Sequence, residues 1–560
     1  MKSLEKYIGY EIYPYSFKDG NDDGYGDFKG LLSKIDYLYD LGVNLLWICP
    51  FYKSPMDDNG YDVSDYYQIN ETLGTMDEFK QIIHECHSRG MKVLIDFVLN
   101  HLSDEHPWFQ EAIKDKNSPY HDFFIFKDPV MKDGKKCLPN NWEGFFSESV
   151  WTYVEDIDQY YFHIFSKKMP DLNWENPKLR QEIYKVARFY LDMGVDGFRL
   201  DAIAHLAKDV TFSDSELPVN EKGIVLDTTK FSNREELYGY LKEFKEEVLD
   251  HYDCITIGEV GGCASCEEAL RYVDREKGYI TMAFNFDTCW ENGAYGDYNK
   301  KDKDIKVNVK NMKPLFKKWY DACHENADMP IYWVNHDHPR VMSQYGNVKY
   351  HKQSAKMLIT TLLFMYGLPF IYQGEEIGMT NVDYEDLGDF KDVSAQNFIR
   401  SHKDFVSEEV MLRFLRRTSR INARTPIAWS NREYAGFSNV EPYVKVVGNY
   451  PTINVEDNLK DDDSIYKYYQ KAIALRKEIS STIYHGSFEL LDKENPYLFM
   501  YEKKDDEHCY WVISSFSTKN HRVQLPKEYD VLLANHKVVT RHGELIVHPY
   551  DSYVIEVKEN

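Results

Sequence analysis

Val195-Asp-Gly-Phe-Arg-Leu-Asp201 is a short, largely apolar run that closes on charged residues, and it follows an amphipathic helical stretch over residues 179–193. An apolar run of this length, bounded by Gly and charge and preceded by a helix, reads as a strand buried on both faces of a parallel sheet. Working outward in both directions, seven more such runs appear, at residues 8–13, 44–50, 92–98, 254–260, 279–286, 330–337 and 369–375. Helical patterns lie between them, at residues 28–41, 234–249, 266–273, 309–322 and 352–365, and residues 464–479 close the series. Thr75-Met-Asp-Glu78 is a capping box, and it opens a further helix that ends at Gly90. Eight strand-then-helix units predict an α/β fold, the (β/α)8 TIM barrel.

Two spacings depart from regularity. Residues 103–173, rich in Trp, Phe, Asn and Pro, follow the third strand and read as an inserted subdomain B. Residues 377–461 form a long excursion after the eighth strand. The barrel is thus expected over 1–102 and 174–481. From residue 482 onward short alternating runs (487–491, 497–501, 510–516, 529–533, 545–548 and 552–557) predict a C-terminal antiparallel, β-sandwich-like domain over 482–560.

Composition excludes several function classes. With 67 basic against 92 acidic side chains the net charge is −25, which disfavours a nucleic-acid partner. No run of 18 apolar residues is present and the first residues lack an apolar signal core, so no membrane association is expected. The nine Cys are scattered and odd in number, which fits reduced thiols and a cytoplasmic location. Cys263-Ala-Ser-Cys266 has no second ligand pair, so it reads as two inert thiols and not as a zinc site.

In a (β/α)8 barrel, chemistry gathers at the carboxyl ends of the strands. Strand three starts Lys92-Val-Leu-Ile-Asp96 and leads to Asn100-His101, strand four ends in Arg199-Leu-Asp201, strand five in Gly258-Glu259, and strand seven in Asn335-His336-Asp337-His338. These ends supply carboxylates, imidazoles and one arginine, but no Ser or Cys nucleophile. Carboxylates on separate strands of one rim suit glycoside hydrolysis, where one attacks the anomeric carbon and a protonated one donates to the leaving oxygen. Arg199 shares a strand face with Asp201 and is placed to keep it ionised.

Asp96-Phe-Val-Leu-Asn-His101, Gly197-Phe-Arg-Leu-Asp201, Gly258-Glu259-Val260 and Asn335-His336-Asp337 resemble, in order and spacing, the four signature regions of the α-amylase family, glycoside hydrolase family 13. The resemblance covers nearly the whole chain and is to the oligo-1,6-glucosidase and α-glucosidase branch. It also rests on Gly60-Tyr-Asp-Val-Ser-Asp65, Pro170-Asp-Leu-Asn173, Gln373-Gly-Glu-Glu376, Asn422-Ala-Arg-Thr-Pro426 and Ala435-Gly-Phe437. It implies that Asp201 is the nucleophile, Glu259 the acid/base and Asp337 the transition-state stabiliser. Asp62, His101, Arg199, His336 and Arg424 are implied to bind the terminal glucose, and Phe146 and Phe165 to wall the pocket. An exo-acting, retaining α-glucosidase working on a small oligosaccharide is expected, with no organic cofactor, as a monomer or weak homodimer. Ala202 follows the nucleophile, where Val accompanies α-1,6 activity in related enzymes, so α-1,4 substrates such as maltose and maltotriose are expected. The alternatives are an isomaltase-like oligo-1,6-glucosidase, a trehalose-6-phosphate hydrolase and a transglycosylating isomerase. An inactive binding relative would lack part of the triad, and all three carboxylates are present.

Asp19-Gly-Asn21-Asp-Asp23-Gly-Tyr25-Gly-Asp27 sets oxygen ligands at alternate positions around a glycine turn, like half of a calcium loop. It resembles the branch's cation loop, which implies structural Ca²⁺ or Mg²⁺ on Asp19, Asn21, Asp23, Asp27 and the Tyr25 carbonyl. Two departures from the pattern are Met169 in place of Gln and Ile421 in place of Asp. The second puts the support of Arg424 in question.

Overall fold

The structure is a computed structural model that describes residues 4–146, 148–262, 264–287 and 296–558. Eight strands correspond to the eight apolar runs: β1 (Gly9–Ile12), β2 (Leu45–Ile48), β3 (Lys92–Val98), β4 (Gly197–Asp201), β5 (Ile255–Glu259), β6 (Met282–Phe284), β7 (Pro330–Ile331) and β8 (Leu368–Tyr372). They form one sheet in the order β6-β5-β4-β3-β2-β1-β8-β7, the succession of a near-closed (β/α)8 barrel. The β3–β4, β4–β5, β5–β6, β1–β8 and β7–β8 pairings are parallel. Every residue of β4 is buried, as are six of the seven in β3, which is why these strands are apolar on both faces.

The chain divides into two compact units. One comprises Ile48–Ile83 and Val93–Asn285 and carries β3 to β6. Within it the helix Pro177–Met193 starts at the Asn176 cap and ends at Gly194, φ +109°, before β4. β4 packs so closely on β5 that a Cβ on Gly197 would lie 1.8 Å from the Ile255 carbonyl oxygen. Residues 103–173 contain a three-stranded antiparallel sheet of Phe126–Lys127, Gln159–Phe162 and Trp151–Val154. Its core of Trp142, Val150, Trp151, Phe162 and Ile164 also includes Phe231, from the loop after β4.

The other unit comprises Met1–Trp47, His84–Lys92 and Phe286–Asn560. Its excursion after β8 has a core of its own, which includes Val382, Phe390, Leu415 and Ile421. The C-terminal strands β9 (Ser487–Leu491), β10 (Leu498–Lys504), β11 (Cys509–Ser515), β12 (His521–Gln524), β13 (Tyr529–Ala534), β14 (Thr540–Arg541), β15 (Glu544–Val547) and β16 (Ser552–Val557) form two antiparallel sheets. Their shared core contains Leu498, Ile513, Leu545, Val547 and Tyr553.

Two expectations are corrected and a third holds. The helix expected over 28–41 is two, Phe28–Leu32 and Ile35–Leu41, and the break turns Tyr39 out to 50 % exposure. The seventh strand is only Pro330–Ile331, because Asn335, His336 and Asp337 leave the ladder to present side chains. The capping box forms as read, with Thr75 and Glu78 bonded reciprocally, and its helix, Met76–Ser88, is closed by Gly90 at φ +71°. Among the described residues no helix is long and apolar enough to cross a membrane.

Candidate active site

Arg199 organises the first cluster. Strand pairing sets it beside Asp96 of β3, and the pleat sets it on the same face as Asp201. Its Nη1 donates to Asp96 Oδ1 at 2.7 Å and to Asp201 Oδ1 at 2.6 Å, and its Nη2 donates to Glu259 Oε2 at the end of β5. One guanidinium thus holds three carboxylates, two of them the expected nucleophile and acid/base. Burial pushes the Asp201 carboxyl well up, Arg199 opposes this, and the charges of Glu259 and Asp96 add to it. Because Asp201 and Glu259 share Arg199, they titrate as a pair.

Tyr61 donates to Asp96 Oδ2 at 3.1 Å, and Tyr52 to the Asp96 carbonyl at 2.6 Å. Asp62 is fully buried and accepts from Ser54 Oγ at 2.9 Å and from the Asp57 and Asp58 amides at 2.8 and 3.1 Å. Burial raises it to about 6 against the pull of those donors. His101 is pushed down to about 4 by burial and is neutral at pH 7. Its Nδ1 lies 3.3 Å from Asn100 Nδ2, while its buried Nε2 has no hydrogen-bond partner among the described residues. A buried nitrogen of that kind suits a ligand hydroxyl. Behind it Asp171 accepts from Asn100 at 3.0 Å and pairs with Lys208 at 2.8 Å, all three residues being buried. The expected aromatic walls lie together: Phe165 meets His101 at 5.1 Å, Phe146 at 6.0 Å and Phe145 at 5.4 Å between ring centroids.

The second cluster follows β7. Asp337 Oδ1 accepts from Arg424 Nη2 at 2.7 Å and from Arg420 Nη1 at 3.3 Å, and His336 Nε2 lies 3.4 Å from Asp337 Oδ2. Burial pushes the Asp337 carboxyl up, but His336, Arg420, Arg424 and His338 outweigh it and hold the group well below the usual carboxylate range. His336 is oriented by Glu11 at the end of β1, whose Oε1 lies 2.6 Å from Nδ1 and accepts the His336 amide at 3.2 Å. Arg424 is also held by the His336 carbonyl at 3.2 Å. Ile421 packs in the core of the excursion, and Arg424 keeps its bonds to Asp337 and to the His336 carbonyl. Met169 likewise is buried.

Asp96, Tyr61, Asp171, Lys208, Glu11 and Arg420 are site residues that motif reading did not single out. Glu11 had a signal, a carboxylate inside an apolar strand run. Lys208 and Arg420 had none.

Ala202 is buried and left-handed, φ 47° and ψ 30°, immediately after Asp201. Strain there is mild for Ala and severe for a β-branched residue. The loop at residues 19–27 folds around Asp19, whose Oδ1 accepts from the Asn21 and Asp22 amides and whose Oδ2 accepts from the Gly24 amide at 2.8 Å. Asp27 is raised by burial, despite amide bonds from Gly30 and Gly20, with the charges of Asp19 and Asp23 adding to the effect. Concentrated negative charge of this kind fits a cation. Of the pair Cys263/Cys266, Cys266 is buried, and Cys263 lies outside the described residues.

A family model described as the alpha amylase catalytic domain matches residues 11–486. The oligo-1,6-glucosidase of Bacillus cereus is 41% identical to this chain, with 98% of each covered. Among solved structures, the trehalose-6-phosphate hydrolase of Bacillus licheniformis superposes with a TM-score of 0.91 at 36% identity, covering 99% of this chain and 100% of that one. The isomaltulose synthase of Protaminobacter rubrum gives 0.92 at 33% identity, with 100% of both chains covered.

Proposed function

This chain belongs to the α-amylase family and is a glycoside hydrolase of its α-glucosidase group, and on that premise we propose that it removes terminal glucose from short α-glucosides with retention of configuration. The observation that carries the reading is the Arg199 guanidinium, which gathers Asp201 and Glu259 from adjacent strands. A retaining pair stands close together, about 5–5.5 Å apart, and two carboxylates bound to one guanidinium are near neighbours, as retention needs.

Asp201 attacks the anomeric carbon while Glu259 protonates the glycosidic oxygen. The leaving sugar departs and a glycosyl ester forms on Asp201. Glu259, now ionised, takes a proton from water, and the resulting attack releases glucose and restores both carboxyls. Three carboxylates around one guanidinium carry surplus negative charge, which favours retention of one proton. The double displacement requires that proton on Glu259, the acid, with Asp201 ionised against the Arg199 guanidinium. Asp337 is held ionised by its cations, as the stabilising role that the family resemblance implies for it requires. His101, neutral and with Nε2 available, binds a sugar hydroxyl, and Asp62 serves the same sugar.

On linkage, the similarity to an oligo-1,6-glucosidase supports α-1,6 substrates such as isomaltose. The second reading is α-1,4, which the small Ala202 beside the nucleophile favours. Glucose release from isomaltose, maltose, trehalose, trehalose 6-phosphate and sucrose, measured in parallel, separates them. Faster turnover of maltose than of isomaltose would overturn the first. Activity of Asp201→Asn equal to the parent would overturn the nucleophile assignment.

We also propose one structural Ca²⁺ at residues 19–27, on Asp19, Asn21, Asp23, Asp27 and the Tyr25 carbonyl. Its support is the crowding of Asp19, Asp23 and Asp27 on one short loop, where the charges of Asp19 and Asp23 add to the burial that raises Asp27. Calcium should raise the melting temperature of the parent protein and not that of Asp23→Ala.

A further inference from the structure

We propose that His536, His548 and Asp551, on the C-terminal β domain, form a site for one divalent transition-metal ion of the zinc class. His536 lies just past β13, and His548 and Asp551 sit in the turn between β15 and β16. The Asp551 side chain is 1 % exposed and stands between the two imidazoles, with Oδ1 3.5 Å from His536 Nδ1 and Oδ2 3.3 Å from His548 Nδ1. The imidazole rings are 5.5 Å apart, edge to face, and one ligand atom from each of the three residues lies within 4.8 Å of the others.

The separations identify the chemistry. Donors bound at about 2.0–2.2 Å to a tetrahedral ion are separated by about 3.3–3.6 Å. The two Nδ1-to-carboxylate distances, one to each oxygen of Asp551, are of that order; the His548 contact is also a long hydrogen bond, while the His536 contact exceeds the usual span of about 2.7–3.2 Å for an N–H···O bond. Two imidazoles with a carboxylate suit zinc, nickel or copper and do not suit calcium or magnesium. The imidazoles are 47 % and 32 % exposed, which leaves an entry path and a fourth position for water.

The frame holds without the histidine rings. Asn535 Nδ2 donates to the Tyr550 and Gln353 carbonyls at 2.8 and 2.9 Å, and Asn535 Oδ1 accepts the Ser552 amide at 2.8 Å. Asp551 Oδ2 accepts the His548 amide at 2.8 Å and the Tyr553 hydroxyl at 2.7 Å. The carboxylate is therefore aimed by its own neighbours, as outer partners aim ligands in metal sites. A bound ion would tie the segment after β13 to the turn before β16. It touches none of the residues assigned to glycoside cleavage.

The test titrates zinc chloride into the EDTA-stripped full-length protein by calorimetry, alongside His536→Ala and His548→Gln. Cysteine thiols also take zinc, so the difference between proteins is read. The parent should bind one equivalent more than each variant, or bind it tighter by more than the roughly 10–100-fold that loss of an outer partner costs. Zinc should raise the melting temperature of the parent alone, and all three should melt together in EDTA. Equal uptake and affinity in all three proteins, no uptake by the parent, or a loss in only one variant would overturn the assignment.

Discussion

Replacing Arg199 by Lys keeps the charge and removes the fork. The guanidinium uses two terminal nitrogens for three carboxylates: Nη1 for Asp96 and Asp201, and Nη2 for Glu259. A single ammonium on a shorter stem keeps one of these bonds well formed. Two charge-assisted bonds are then lost, at about 1.5–2 kcal/mol each near the low end of their range, about 3–4 kcal/mol together. If that loss falls on the transition state, kcat/KM drops by about 10²–10³. The pH profile moves as well. Arg199 is the group that opposes burial at Asp201, so weakening it raises the Asp201 carboxyl further. The nucleophile then ionises only at higher pH, and the acidic limb of kcat/KM shifts upward. The assay is hydrolysis of an aryl α-glucoside across pH, with substrate held far below KM. An Arg199→Lys protein within about threefold of the parent, with its acidic limb in place, would refute the claim that one guanidinium sets both carboxylates.

Three other outcomes follow from the same geometry. His101, His106, His205 and His338 are each lowered to about 4, burial being the first cause, so each contributes stability that is present above about 6.5 and is lost as pH falls toward 4. His163 and His351, also lowered by burial, add to this loss, while Asp62, raised to about 6, and Asp201 and Glu375, pushed up by burial, oppose it. A urea midpoint that does not fall between pH 6.5 and 4.5 would contradict this. Lys208→Met leaves the buried Asp171 carboxylate without its cation and should cost about 3–5 kcal/mol in urea unfolding. It should also raise KM more than it lowers kcat, because Asp171 acts through Asn100 and His101, and an unchanged KM would count against that chain of contacts. Gly197→Ala drives a Cβ to 1.8 Å from the Ile255 carbonyl oxygen and should cost more than about 3 kcal/mol, read as loss of soluble protein or of the cooperative transition.

What was legible in the sequence divides along physical lines. Strand runs such as 92–98 and 195–201 stood out because burial on both faces forces near-continuous hydrophobicity. Asp201, Glu259 and Asp337 stood out because each closes such a run. Strand ends drifted where polar residues leave the ladder, as at 332–337, because a residue that presents its side chain to a site need not pair its backbone. The phase slip at residues 33–34 escaped for a related reason: periodicity counts spacing and does not register a break that tertiary packing imposes.

The residues that motif reading missed share one property: each acts through another charged group distant in sequence. Lys208 has meaning only beside Asp171, Arg420 only beside Asp337, and Glu11 only beside His336, 325 positions away. Of these Glu11 alone was recoverable, since a carboxylate inside the run Ile-Gly-Tyr-Glu-Ile-Tyr is too costly to bury unpaired, and its 1 % exposure requires a partner. Chemistry at strand ends is therefore readable from local pattern, whereas the charges that tune it become readable only when the cost of burial is asked of every ionisable group. The same question, asked of Asp551 at 1 % exposure between two imidazoles, is what separates a site from a coincidence of surface histidines.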